Sequence, residues 1–66
     1  MKICVNGKTH ELTGPRPLSG LIQDICESNP YVIAELNGEI IRKENWTNIN
    51  VGEGDRIELV SFVGGG

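Results

Sequence analysis

Apolar and polar residues alternate from the first residue of the chain. Met1, Ile3 and Val5 fall on one side and Lys2 and Cys4 on the other, the period of two expected of a strand with one buried face. Asn6-Gly7 follows. Both residues accept positive φ, so the dipeptide predicts a type I′ hairpin turn, with residues 9–12 returning as the second strand. Residues 13–17, Thr-Gly-Pro-Arg-Pro, suit neither a strand nor a helix interior and predict a loop. Then the period changes. Leu18, Leu21, Ile22, Ile25 and Cys26 recur at the spacing of one α-helical stripe, while Gln23, Asp24 and Glu27 fall on the wet side. Ser19 is the candidate N-cap, Gly20 weakens the first turn, and Asn29-Pro30 ends the helix.

Residues 31–36 predict another strand, with Val32, Ala34 and Leu36 on one face. Asn37-Gly38 gives a second tight turn, and Ile40-Ile41 briefly resumes the extended chain. Residues 42–46 are polar apart from Trp46, which is read as the anchor of a short helical turn. Ile49 and Val51 lead into the turn Gly52-Glu53-Gly54-Asp55, and residues 56–63 form the last strand. Ile57 and Leu59 lie on one face of it, Val60 and Phe62 on the other. A single helix has to bury its stripe on a sheet, so this order predicts a two-layer α+β domain. The first and last strands of its mixed sheet lie side by side. Residues 1–63 are expected to pack and residues 64–66 to form a tail.

Size narrows the function. A chain of 66 residues buries only about 60% of its unfolded surface, too little for a deep pocket and a catalytic constellation together. A ligand, carrier or module acting through larger partners is expected, not an enzyme. The net charge of −3 argues against nucleic acid, whose phosphates call for a basic face, and against anionic membranes. Met1 leads directly into a strand, without a signal-like segment, and no apolar run is long enough to cross a bilayer. A cytoplasmic location is expected. Two cysteines, Cys4 and Cys26, and the single His10 are too few for a zinc or iron–sulfur site. Both thiols are read as packing residues rather than a disulfide. Glu11, Asp24, Glu27, Glu53 and Asp55 show no acid–base spacing and are read as solvated, with docking onto a basic partner as one use.

The chemistry is placed at the end of the sequence. Gly64, Gly65 and Gly66 add nothing to a core and lose much entropy when ordered. Glycines do let a backbone pass through a channel too narrow for a Cβ. Residues 62–66 extended reach roughly 13–14 Å, enough to put a carboxylate inside another protein's active site. A free α-carboxyl titrates near pH ~3.5, so at neutral pH it is anionic and inert until activated as an acyl-adenylate. This chain has no phosphate loop to do that, and Gly52-Glu53-Gly54-Asp55 is too acidic to cradle phosphate. The chain is therefore read as the substrate of an ATP-using partner. Terminal glycines also suit a frayed end. Against that stands the apolar stem Phe62-Val63: with Val60 it would form an uncovered patch beside the tail and a docking surface for that partner, the other reading being a lightly covered sheet face.

Three segments resemble the thiamine-biosynthesis sulfur carriers, the ThiS family. They are residues 1–8 (MKICVNGK), residues 36–46 (LNGEIIRKENW) and residues 54–66 (GDRIELVSFVGGG). Their order along the chain, more than the glycine end alone, carries the resemblance. It implies a ubiquitin-like β-grasp fold and a cycle centred on Gly66. In that cycle a ThiF-like adenylyltransferase adenylates the Gly66 carboxylate with ATP and magnesium, so that no cofactor is bound by the carrier itself. Sulfur from a cysteine desulfurase or another donor then converts Gly66 to a thiocarboxylate, which serves thiazole synthase. Gly65 matches the penultimate family glycine, and Gly64 is an additional one. The Pro-rich segment before the helix and Gly20 depart from the family pattern. Alternatives with the same tail are a carrier for molybdopterin or another pathway, and a ubiquitin-like modifier joined to lysines. A non-covalent interaction module fits the low basic content and glycine end less well.

Overall fold

A computed structural model describes residues 1–27 and 31–62. The opening alternation closes as a hairpin: β1 (Lys2–Val5) pairs antiparallel with β2 (Lys8–Glu11), Cys4 opposite Thr9. Asn6 and Gly7 take φ values of 50° and 81°, the backbone that a type I′ turn requires. The return strand starts one residue earlier than expected. Leu12 lies beyond it, yet its N–H donates to the Met1 carbonyl at 2.7 Å and its carbonyl accepts from the Met1 amino group at 2.9 Å.

The loop expected at residues 13–17 ends in a strand. β3 (Arg16–Pro17) pairs antiparallel with β6 (Asn50–Val51) as a separate two-stranded ribbon. Proline already holds an extended backbone, and in so short a ribbon its missing N–H costs little. α1 (Leu18–Cys26) starts directly after it. Pro17 occupies the N-cap position without a side-chain cap bond, so Ser19 lies inside the helix instead of capping it. The first N–H, of Leu18, donates to the Ile49 carbonyl at 2.8 Å; the ribbon sets the helix start. Leu18, Leu21 and Ile22 are buried and Cys26 packs against them. The expected stripe fails at Ile25, which is 38% exposed in the last turn of a short helix. Glu27 then adopts the left-handed conformation (φ 51°, ψ 48°) and its N–H donates to the Gln23 carbonyl. The helix thus stops ahead of Asn29-Pro30, the expected terminator, which lies outside the described residues.

The main sheet has the strand order β2-β1-β7-β4-β5, with β4 (Val32–Leu36), β5 (Glu39–Ile41) and β7 (Arg56–Ser61). β7 is the middle strand, parallel to β1 and antiparallel to β4. First and last strands are neighbours, as expected. β7 ends sooner than the expected residue 63, although the Phe62 N–H still donates to the Tyr31 carbonyl at 2.8 Å. A 3₁₀ helix, Lys43–Asn48, buries Trp46, whose indole N–H donates to the Ile41 carbonyl at 3.0 Å. Between helix and sheet lies the core: Ile3, Val5, Leu18, Leu21, Ile22, Ala34, Trp46, Val51, Ile57 and Leu59. Each buried Ile, Leu or Val among them contributes about 1.5–3 kcal/mol by leaving water. Among the described residues no helix is long and apolar enough to cross a membrane.

Candidate functional site

β7, the middle strand of the sheet, is the last element before the glycines in the sequence. Its inward side chains, Ile57 and Leu59, are buried under the helix. Period-two alternation therefore turns Glu58 and Val60 outward, and Phe62 continues that side. Two asparagines hold the strand from either flank. On the β1 side the parallel pairing ends at Val5↔Ile57, and the Asn6 side chain takes over. Its Oδ1 accepts from the Leu59 N–H at 2.7 Å and its Nδ2 donates to the Leu59 carbonyl at 3.1 Å. On the β4 side, Asn37 Oδ1 accepts from the Arg56 N–H at 2.9 Å and Nδ2 donates to Asp55 Oδ1 at 3.1 Å. Both asparagines sit at φ 50°, so one residue type serves the turn and the brace together.

Among the described residues the outer face is uncovered. Val60 stands opposite Ile33 in register, and the pair is 49% and 44% exposed. Phe62 and Tyr31, at the next step of the ladder, are 50% and 57% exposed. Val60 and Phe62 thus occupy the surface expected of them. Val63, Gly64, Gly65 and Gly66, the other expected site residues, lie outside the described residues. Tyr31 and Ile33 were not singled out from the sequence. The signal was there: if Val32, Ala34 and Leu36 point inward, the odd positions of that strand must share the outer face. Beyond the apolar rows, Glu35 stands directly opposite Glu58, and both border a shallow concavity with Asn37, Gly38 and Arg56.

The remaining candidates are structural. In the turn at 52–55, the Gly52 N–H donates to Asp55 Oδ2 at 2.8 Å and the Gly54 N–H to the Lys2 carbonyl at 2.8 Å. These amides are engaged, which agrees with rejecting a phosphate cradle there. Asp55 is a brace between turn and Asn37 rather than a solvated bystander, and Glu53 accepts from the Lys2 N–H at 3.1 Å. Asp24 pairs with Arg16 at 2.7 Å. Cys4 and Cys26 are free thiols. Burial pushes the Cys26 thiol up from its ordinary pKa, which keeps it protonated and a poor nucleophile at neutral pH. Among the described residues no group of three or more His, Cys, Asp or Glu side chains is placed to hold a metal ion.

A five-stranded mixed sheet crossed by one helix, with its first and last strands adjacent, is the ubiquitin-like β-grasp fold. The crystal structure of the thiamine biosynthesis protein ThiS from Geobacter metallireducens superposes with a TM-score of 0.82 at 33% identity, over all of both chains. The sequence model of the ThiS family matches residues 3–66, and the chain belongs to that family. It is 46% identical over 52 residues to the sulfur carrier protein ThiS of Bacillus subtilis (strain 168), covering 73% of this chain and 79% of that one. It is also 30% identical over 66 residues to a thiazole synthase of Paramagnetospirillum magneticum. There the match takes in the whole of this chain but spans only 20% of the relative's length.

Proposed function

We propose that this chain is a sulfur carrier of thiamine biosynthesis, working through the carboxylate of Gly66. The observation that carries the reading is the family match, which runs through Gly66, together with the uncovered apolar end of β7 that precedes the glycines. Gly64 and Gly65 thread the active site of a ThiF-like adenylyltransferase, while Val60, Phe62 and Val63 dock outside it. The partner uses ATP and magnesium: the Gly66 carboxylate attacks the α-phosphorus, pyrophosphate leaves, and an acyl-adenylate results. The terminal sulfur of a persulfide, supplied by a cysteine desulfurase or another donor, attacks the acyl carbon and AMP leaves. A thiol then cleaves the sulfur–sulfur bond and frees the thiocarboxylate. The chain itself contributes no acid–base or metal chemistry; it is a co-substrate.

Thiazole synthase is the proposed acceptor. Support comes from the Paramagnetospirillum magneticum relative, in which a segment like the whole of this chain belongs to a much longer polypeptide named for that activity. Covalent linkage keeps two domains at high effective concentration, which benefits domains that work on each other. The test is the intact mass of the protein carrying its native C-terminus, isolated from cells that hold the candidate partners. The expected result is one carboxyl oxygen replaced by sulfur, lost when Gly66 is deleted without loss of fold. A lysine-linked conjugate would support the modifier alternative, and an unaltered end would overturn the carrier reading.

A further inference from the structure

Asn-Gly occurs twice in the chain, each time as the turn between two paired strands. The side-chain amide carbon of an asparagine is an electrophile, and the backbone nitrogen of the next residue is the nucleophile nearest to it. A side chain on that next residue hinders the approach, and glycine has none. Asn29, Asn45, Asn48 and Asn50 are followed by Pro30, Trp46, Ile49 and Val51, so the sequence confines this chemistry to Asn6 and Asn37. What separates the two is how the amide is held. Asn6 grips the Leu59 N–H and carbonyl at 2.7 and 3.1 Å, in partly buried bonds to the middle strand of the sheet. The bonds of Asn37, to the Arg56 N–H at 2.9 Å and to Asp55 Oδ1 at 3.1 Å, are exposed, and its turn leads into a three-residue edge strand. Exposed bonds at the edge of a sheet open locally at lower cost than those tied to its centre.

We propose that Asn37 is a site of spontaneous deamidation whose product breaks the brace at the start of β7, and that the grip on Leu59 protects Asn6 from the same reaction. The inference is independent of the carrier reading. The Gly38 nitrogen, losing its proton, bonds to Asn37 Cγ; the bond from Cγ to the side-chain nitrogen breaks and ammonia leaves, giving a cyclic imide. Water then opens the imide at one of its two carbonyls, to aspartate or to isoaspartate. The net change exchanges an amide for a carboxyl group, with water consumed and ammonia released. Either product is a carboxylate at neutral pH. It no longer donates to Asp55 Oδ1 but faces that carboxylate, and like charges so close repel. Asp55 also accepts from the Gly52 N–H at 2.8 Å, so the repulsion acts on the turn that opens β7. Isoaspartate goes further, because its extra backbone carbon lengthens a turn whose length fixes the pairing of Leu36 with Glu39.

The experiment ages the full chain at mildly alkaline pH, folded and in urea, and follows the peptides carrying Asn6 and Asn37 by mass spectrometry. Methyl transfer from S-adenosylmethionine by a protein isoaspartate methyltransferase reports the isoaspartate formed. In urea the two asparagines are expected to react at similar rates, since each follows an aliphatic residue and precedes glycine. In the folded chain the product is expected several-fold faster at Asn37 than at Asn6. Equal rates in the folded chain, a faster Asn6, or an Asn37 that stays intact while the chain in urea reacts would each overturn the inference. The effect of the product is read on Asn37→Asp. Its Tm is expected to lie several degrees below that of the wild type at neutral pH, with the gap closing as pH falls below the carboxylate range and protonation removes the repulsion. An unchanged Tm at neutral pH would overturn the broken brace, and a gap that persists in acid would overturn repulsion as its cause.

Discussion

At Asn6 one side chain does the work of a missing strand neighbour. β1 has ended, yet the Leu59 N–H and carbonyl still need partners, and the amide of Asn6 supplies both. Glycine at this position keeps the positive φ but removes both bonds. Asn6→Gly is therefore expected to destabilise the fold by about 1–3 kcal/mol, since a half-buried N–H loses its acceptor, as read by urea unfolding. Asn37→Gly is expected to cost less, because its bond to the Arg56 N–H is exposed and water replaces it. The turns were legible in the sequence from Asn-Gly alone, but this bracing was not: nothing local tells Asn6 that residue 59 passes beside it. Gly20 shows the same limit. The sequence suggests a weak helix former out of place, whereas a Cβ there would come within 3.1 Å of the Arg16 guanidinium, which crosses that position to reach Asp24 at 2.7 Å.

At the scale of elements, the helix is short; its start is set by a tertiary contact and its end by a local left-handed cap at Glu27. The apolar spacing locates it correctly, but Pro17 rather than Ser19 takes the cap position, because the β3–β6 ribbon that sets the start is invisible to local periodicity. That ribbon joins residues 16–17 to residues 50–51, two pairs far apart in sequence. The C-terminal end keeps a strained residue. Glu27 is exposed and left-handed, a conformation that costs an L-residue about 1–2 kcal/mol and that glycine adopts freely. Glu27→Gly is expected to stabilise the domain by about 0.5–1 kcal/mol, seen as a rise of several degrees in Tm by circular dichroism. A fall would mean that the Glu27 side chain contributes a contact worth more than the strain. The faces of β4 and β7 were fully legible, because strict alternation leaves no freedom once the helix side is known. Ile25 was not, since periodicity assigns a direction and says nothing about what waits there.

At the scale of the whole molecule, the two sides of the sheet divide the labour. The helix side holds the fold together; the outer side keeps apolar side chains about half exposed and is the side proposed to meet a partner. Phe62 belongs to the second group, being half exposed. Phe62→Ala is expected to raise the KM of the activating enzyme for the carrier several-fold while lowering stability by about 1 kcal/mol or less, measured by adenylation kinetics and thermal unfolding on the same preparation. Comparable losses in both would place Phe62 in the core. The class of fold followed from the order of elements. The outer face was legible in part through Val60 and Phe62, while Glu35 and Glu58 became a pair only with the register of β4 on β7.

The strand that completes the middle of the sheet comes last in the sequence. A nascent chain can form the first hairpin and the helix on a ribosome, but β1 and β4 have nothing between them until residues 56–61 emerge. The closing contacts, Cys4 opposite Arg56 and Val5 opposite Ile57, span most of the chain, the kind that slows folding. A chain cut within residues 56–61 therefore lacks part of the strand that joins β1 to β4, whereas one cut after Ser61 keeps the whole sheet and loses only its last residues.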